Sequence, residues 1–158
     1  MDKQLIIDTE KCTGCSLCEM ICALNKTGLC HPSLARIKVW REEKQGQYIP
    51  LVCQHCCQPL CAEACLMNAI SKDRDTGITI RNLQACIACR ACQAACPFEG
   101  SRYDYLQEVV VNCDLCGGDP QCVKYCPFGA LQYVRLQDSL NSWRRQEAER
   151  RVVNDSGR

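Results

Sequence analysis

The sequence predicts an α+β fold of small repeated units, wound around something bound to cysteine instead of around an ordinary apolar core. Three observations predict it. Cysteine supplies 18 of the 158 residues while Phe and Trp supply two each, a sulfur content that marks a chain needing a covalent or metal scaffold. Sixteen of the cysteines fall into four groups of similar spacing, and a repeated motif implies a repeated structural unit. Short extended stretches, punctuated by Asp, Gly and Pro, alternate with these groups and leave room only for brief helices.

In chain order, residues 4–7 read as a strand entering the first group. Residues 36–41 and 47–52 are extended stretches around Gly46. Ile70 and residues 78–80 flank Asp73-Arg74-Asp75-Thr76-Gly77, a hairpin turn by its Asp and Gly content. Residues 109–111 enter the fourth group and residues 130–135 leave it. Single helical turns are expected, each ending in a group's fourth cysteine. From Val134 onward the chain has six Arg, four acidic residues and no cysteine. There Leu136, Leu140 and Trp143 fall at i, i+4 and i+7, a helical stripe.

The groups are Cys12, Cys15, Cys18, Cys22; Cys53, Cys56, Cys61, Cys65; Cys86, Cys89, Cys92, Cys96; and Cys113, Cys116, Cys122, Cys126. The first and third read C-x2-C-x2-C-x3-C; the second and fourth stretch the middle gap. Cysteines two or three residues apart make poor disulfides with each other, and four-cysteine zinc sites usually pair two C-x2-C knuckles across a longer loop. The observed spacing, with Pro97 and Pro127 directly after Cys96 and Cys126, is the bacterial [4Fe–4S] run. Groups one and two depart from it, with Ala23 and Leu66 in the proline position. Sixteen thiolates match four cubanes without remainder. Three cysteines on a tight loop can wrap three corners of a cubane. The fourth, one helical turn beyond the third, is carried to a neighbouring cluster. The motifs must therefore work in pairs; the spacing allows one with four and two with three, or one with two and three with four.

Cys30 and Cys57 fall outside the groups and are expected to be ordinary thiols, although Cys57 adjoins Cys56. His55 sits inside the second group, where four cysteines already complete a site, so a structural hydrogen bond is expected. His31-Pro32 is expected to shape a loop. Arg90 and Lys124 lie near ligand positions and are expected at the solvated surface. The formal charge of +1 gives no reason to expect nucleic acid or an anionic membrane as partner. Residues 1–4 open no secretory signal and no apolar run spans a membrane, so a cytoplasmic location is expected. No dinucleotide fingerprint or nucleophile–base pairing stands out, so the chain is expected not to be an enzyme alone.

On these motifs the chain resembles the four-cluster, ferredoxin-type electron-transfer subunits of molybdenum and tungsten oxidoreductases. The resemblance covers about residues 3–133. It rests on Cys12-Thr13-Gly14-Cys15, on Cys53-Gln54-His55-Cys56 with Pro59 before Cys61, on Cys96-Pro97-Phe98 and on Cys126-Pro127-Phe128-Gly129-Ala130. His31-Pro32-Ser33-Leu34-Ala35-Arg36-Ile37 and Cys113-Asp114-Leu115-Cys116-Gly117-Gly118-Asp119-Pro120 look closer to the compact subunit that accompanies tungsten aldehyde oxidoreductases. The resemblance implies two ferredoxin-like units, one inserted in the other: residues 1–45 with 102–133, and residues 46–101, followed by a helical extension over 134–158. It implies four [4Fe–4S] clusters held by Cys12, Cys15, Cys18 and Cys126; by Cys113, Cys116, Cys122 and Cys22; by Cys53, Cys56, Cys61 and Cys96; and by Cys86, Cys89, Cys92 and Cys65. The implied partners are a large tungsten- or molybdenum-pterin catalytic subunit and a flavin subunit or ferredoxin. A free-standing polyferredoxin carrier is the alternative, as is the iron–sulfur subunit of a formate dehydrogenase, hydrogenase or carbon monoxide dehydrogenase system. The Arg-rich extension is expected to dock a partner or a second copy head to tail.

Overall fold

The computed structural model describes residues 3–138, 140 and 141. Its α+β character agrees with the expectation: among the described residues, short strands form four separate antiparallel pairs, joined by brief helices. Strand β1 (Lys3–Ile7) pairs with β8 (Leu131–Arg135), Ile7 lying opposite Leu131. The Asp8 amide continues the ladder by donating to the Ala130 carbonyl at 2.8 Å. This pairing sets the loop of the first cysteine group beside the end of the fourth.

Strands β2 (Ile37–Glu42) and β3 (Gln47–Val52) form a hairpin. Ile37 and Val39 point inward while Lys38 and Trp40 point outward, the period-two pattern of a half-buried strand. Pro50 is tolerated in β3 because both strands of a two-stranded sheet are edges. Strands β4 (Ile70–Lys72) and β5 (Thr79–Arg81) make the hairpin expected from residues 73–77. The Asp73 carboxylate accepts the Asp75 and Thr76 amides, and the Gly77 amide donates to the Asp73 carbonyl. Strand β6 (Ser101–Asp104), which the sequence does not announce, pairs with β7 (Val109–Asn112). Asp104 repeats the Asp73 device by accepting the Leu106 and Gln107 amides.

Helices α2 (Leu60–Glu63), α3 (Ala91–Ala94) and α4 (Gln121–Lys124) are single turns, each stopping two residues short of its fourth cysteine. Helix α1 (Leu17–Thr27) departs from the expectation: it runs eleven residues, well past Cys22. Its buried residues Cys18, Glu19, Cys22 and Ala23 form one helical stripe, and it stops only at Gly28, whose φ of 75° lets its amide turn back to the Leu24 carbonyl. Glu19 is 2% exposed. Its carboxylate accepts the Val39 amide at 3.1 Å and the Arg41 guanidinium at 2.7 Å, which ties α1 to β2 through a charge that burial makes costly to leave alone.

Helix α1 packs on α4, α2 packs on α3, and β5 packs on β7. Two apolar clusters result. The larger draws on β1, α1, β2, β3 and β8, and four of its thirteen buried residues are Cys18, Cys22, Cys113 and Cys122. The smaller buries only Ile70, Cys92 and Val110. Strand β8 runs through Arg135, as expected of the extended stretch that leaves the fourth group. Residues 136–138, 140 and 141 are helical, with Leu136 and Leu140 exposed; Trp143 and the rest of the expected helix lie outside the described residues. Among the described residues no helix is long and apolar enough to cross a membrane.

Candidate metal centres

The four cysteine loops share a backbone device. The second residue after the first cysteine is left-handed in every group: Gly14 (φ 71°), His55 (φ 49°), Ala88 (φ 56°) and Leu115 (φ 54°). In groups one, three and four the residue after the second cysteine is left-handed too, at Ser16, Arg90 and Gly117. For non-glycine residues each such position costs on the order of 1–3 kcal/mol. Alternating right- and left-handed residues turn successive amides to one side and make a concavity for an anion. The first left-handed position recurs in all four groups, whereas the fourth group runs left-handed without alternation from Leu115 through Gly118.

A second device recurs at the fourth cysteine. Three residues beyond it lie left-handed Asn68, Glu99 and Gly129. In two of these groups the next amide points back at the thiol: Ala69 donates to Cys65 Sγ at 3.3 Å and Gly100 to Cys96 Sγ at 3.2 Å. Cys22 lies inside α1, so its amide comes from elsewhere, from Arg36 at 3.3 Å. Such bonds favour the thiolate form of a ligand.

The cysteines gather around hollows, each taking three from one group and the fourth from another. Cys12, Cys15 and Cys18 line one with Cys126. Cys113, Cys116 and Cys122 line a second with Cys22. Cys86, Cys89 and Cys92 line a third with Cys65. The three are similar in size, about 340, 330 and 370 Å³ including their open mouths. Cys53, Cys56, Cys61 and Cys96 are also neighbours: burial pushes the Cys53 thiol up, the His55 amide opposes this, and Cys61, Cys96 and Cys56 add to the rise. Gly100, four residues after Cys96, lies against Cys53 so closely that a Cβ there would sit 2.6 Å from the Cys53 Cα. Gly100→Ala is therefore expected to cost about 1–3 kcal/mol, as overpacking does, read as a lowered anaerobic melting temperature.

The donor set suits a polynuclear centre. One Zn²⁺ with Zn–S near 2.3 Å would draw its four thiolates to within about 3.8 Å of one another. Among the described residues no three Cys, His, Asp or Glu converge on a single-ion site; the cysteines instead stand around a space. Burial pushes the Cys18 and Cys122 thiols up to about 12, reinforced at Cys18 by Glu19 and at Cys122 by Cys22. Burial raises Cys113 as well. Thiols of this kind become thiolates when a bound metal supplies the compensating charge. His55 points the same way. Its Nδ1 accepts the Thr79 amide at 3.0 Å, the structural bond expected of it, and lies 3.8 Å from Cys53 Sγ. Its Nε2 is buried and has no partner among the described residues; with Nδ1 accepting, Nε2 carries the proton, and a cluster sulfide is an acceptor of the right kind.

Cys30 and Cys57 are exposed and line none of these hollows. His31 shapes its loop with Ser33, 2.7 Å from its Nδ1. Lys124 is an exposed partner of Asp119. Arg90 lines the Cys86 hollow and lies over the Tyr103 ring at 4.0 Å. Two further residues that reach sulfur, Arg81 and Asn112, go unmarked in the sequence. Arg81 donates to Cys92 Sγ at 3.2 Å, and Asn112 Nδ2 lies 3.9 Å from Cys53 Sγ while donating to the Cys113 carbonyl at 2.8 Å. No motif contains either. The amides at positions 69 and 100, by contrast, share a register that superposing the four groups would have exposed.

Residues 44–136 match the family described as the 4Fe-4S dicluster domain. The protein is similar to the aliphatic sulfonate oxidoreductase polyferredoxin-like subunit of Pyrococcus furiosus, 42% identical over 122 residues, spanning 77% of this sequence and 70% of the relative. It is 32% identical over 150 residues to the B subunit of the anaerobic dimethyl sulfoxide reductase of Haemophilus influenzae, spanning 83% and 73% respectively. Among solved structures it resembles a subunit of the BamBC active-site complex of benzoyl coenzyme A reductase with benzoyl-CoA, with a TM-score of 0.51, 26% identity and coverage of 98% of this protein and 95% of the other.

Proposed function

Because the protein belongs to the 4Fe-4S dicluster domain family, we propose that it is the electron-transfer subunit of an oxidoreductase complex, holding four [4Fe–4S] clusters on the sixteen grouped cysteines. It is a component of such a complex and not an enzyme alone. The observation that carries the reading is the exchange of fourth cysteines. Each of three hollows is completed by a cysteine from a distant group, Cys126, Cys22 or Cys65, as two-cluster ferredoxins do. The exchange, with α1 on α4 and α2 on α3, supports the nested arrangement of residues 46–101 within residues 1–45 and 102–133.

The thiol groups also fall into one order. Burial raises the Cys61 thiol, Arg81 opposes this, and Cys96 and Cys92 add to the rise, so the Cys86 group adjoins the Cys53 group. Asn112 stands between Cys53 and Cys113. Burial and Glu19 raise the Cys18 thiol and Cys122 adds to them, so the Cys113 group adjoins the Cys12 group. Bound there, the clusters would supply one-electron transfer. The protein's own residues space them, shield the thiols from water and donate amides to sulfur.

The resemblance of residues 31–37 and 113–120 supports a tungsten- or molybdenum-pterin catalytic partner of the aldehyde oxidoreductase type, with a flavin subunit or ferredoxin at the other end. The Pyrococcus relative, named for an aliphatic sulfonate oxidoreductase, supports a partner that is itself an oxidoreductase. Anaerobic purification of the tagged full-length protein from its host tests this. We expect a large subunit carrying tungsten or molybdenum to copurify; an iron-loaded protein recovered alone, as a monomer, would establish a free-standing carrier.

A further inference from the structure

Among the contacts to cysteine sulfur in the described residues, one is made by a guanidinium. Arg81, at the end of β5, donates from Nη1 to Cys92 Sγ at 3.2 Å, from Nε to Asn112 Oδ1 at 2.6 Å and from Nη2 to Ser101 Oγ at 2.6 Å. All three acceptors are formally neutral unless Cys92 is a thiolate, and Arg81 takes part in none of the ion pairs among the described residues. It lines the Cys86 hollow, as does Arg90, whose guanidinium lies over the Tyr103 ring.

The cations at the other centres are disposed differently. Lys26 and Arg36 line the Cys113 hollow, but both bind Asp114, at 2.8 Å each. Lys11 lines the Cys12 hollow and pairs with Asp8 at 2.8 Å. Lys72, near the Cys53 group, directs its protons to the His55 and Cys56 carbonyls at 2.6 and 2.8 Å; the Arg81 charge also reaches Cys61 of that group, but its hydrogen bond goes to Cys92. A positive charge and a charge-assisted hydrogen bond at a cluster sulfur both favour the reduced, more negative state, and a partly buried site strengthens both.

We propose that Arg81 makes the centre of Cys86, Cys89, Cys92 and Cys65 the highest-potential site of the four, so that this end of the row of thiol groups is where an electron comes to rest. The inference rests on the reading that the sixteen cysteines hold four clusters. Its electron balance is simple: one electron leaves the centre of the adjoining Cys53 group, which is oxidised by one, and reduces the Cys86 centre by one, with no proton or further reductant. Arg81 does not carry the electron; it sets where the electron is most stable.

The test is an anaerobic redox titration of the loaded full-length protein followed by electron paramagnetic resonance, comparing wild type, Arg81→Gln, Arg81→Lys and Cys89→Ala. Wild type is expected to show four one-electron couples. Arg81→Gln, at unchanged iron content, should lower the reduction equilibrium of the highest couple about tenfold, or about 59 mV for one electron. It should lower one further couple by less, that of the Cys53 group whose Cys61 also feels Arg81, and move the remaining two less than threefold. Arg81→Lys, which keeps the charge, should hold the highest couple within threefold of wild type. Cys89→Ala should remove that same couple. The inference is overturned if Arg81→Gln leaves the highest couple in place, if all four fall together, or if Cys89→Ala removes a lower couple. If Arg81→Gln fails to load, a tenfold fall in loaded Arg81→Lys overturns it equally. Fewer than four couples in wild type would contradict the four-cluster reading instead.

Discussion

Anaerobic removal of iron by a chelator is expected to abolish the cooperative fold, not merely to lower its melting temperature. The protein has little else to hold it. The described strands are all in two-stranded pairs, which are marginal alone in water. Three of the helices are single turns, far below the length at which a helix sustains itself. The smaller apolar cluster buries three residues, one of them Cys92, and the larger includes four of the grouped cysteines. Against this stand the left-handed residues of every cysteine loop, strain that a bound anionic centre offsets and an empty loop does not. Where metal ligands form only in the folded state, metal binding is folding free energy. Far-ultraviolet circular dichroism of the stripped protein should show no sigmoidal transition, and its amides should exchange freely; a sharp transition within a few degrees of the loaded protein would mean the apolar clusters suffice.

The second large effect is expected from Cys22→Ala. Although Cys22 belongs to the first group in sequence, it lines the hollow of Cys113, Cys116 and Cys122. Its loss should remove that centre and lower iron from about sixteen to about twelve per molecule, four per cubane. The pairing itself is read from double variants, because two ligands of one centre are not additive. Cys22→Ala with Cys116→Ala should lose no more iron than either alone. Cys22→Ala with Cys56→Ala should lose two centres. The reverse result, with Cys22 and Cys56 non-additive, would establish sequential pairing and dismantle the nested arrangement.

The centres are far more legible in the sequence than their surroundings. A cubane needs three ligands on one short loop, so the requirement is local and appears as spacing. The Asp73–Gly77 turn is readable for the same reason, since Asp73 bonds amides two and three residues on. The partner of each fourth cysteine depends on long-range packing, as β1 meets β8 across most of the sequence. Spacing leaves that choice open, and only the resemblance implies one answer. The length of α1 is hidden because Cys22 reads as an end, while the buried stripe and the Gly28 cap carry the helix on. Arg81 is invisible because it reaches sulfur from a hairpin end outside every motif, and Asn112, although it directly precedes Cys113, because the sulfur it reaches belongs to Cys53, which only packing brings near. Arg90 and Lys124 draw notice by standing near cysteines in sequence. Of these two Lys124 is occupied by Asp119, and the guanidinium that does touch sulfur comes from β5.

Metal and sulfide analysis of the anaerobically purified full-length protein decides whether sixteen cysteines hold four iron–sulfur cubanes. The protein is expected to be brown, with about sixteen iron atoms and as many acid-labile sulfides per molecule, and free of zinc. A colourless protein containing zinc and little sulfide, or a brown one holding only about eight irons per molecule after full reconstitution, two cubanes' worth, would contradict that expectation.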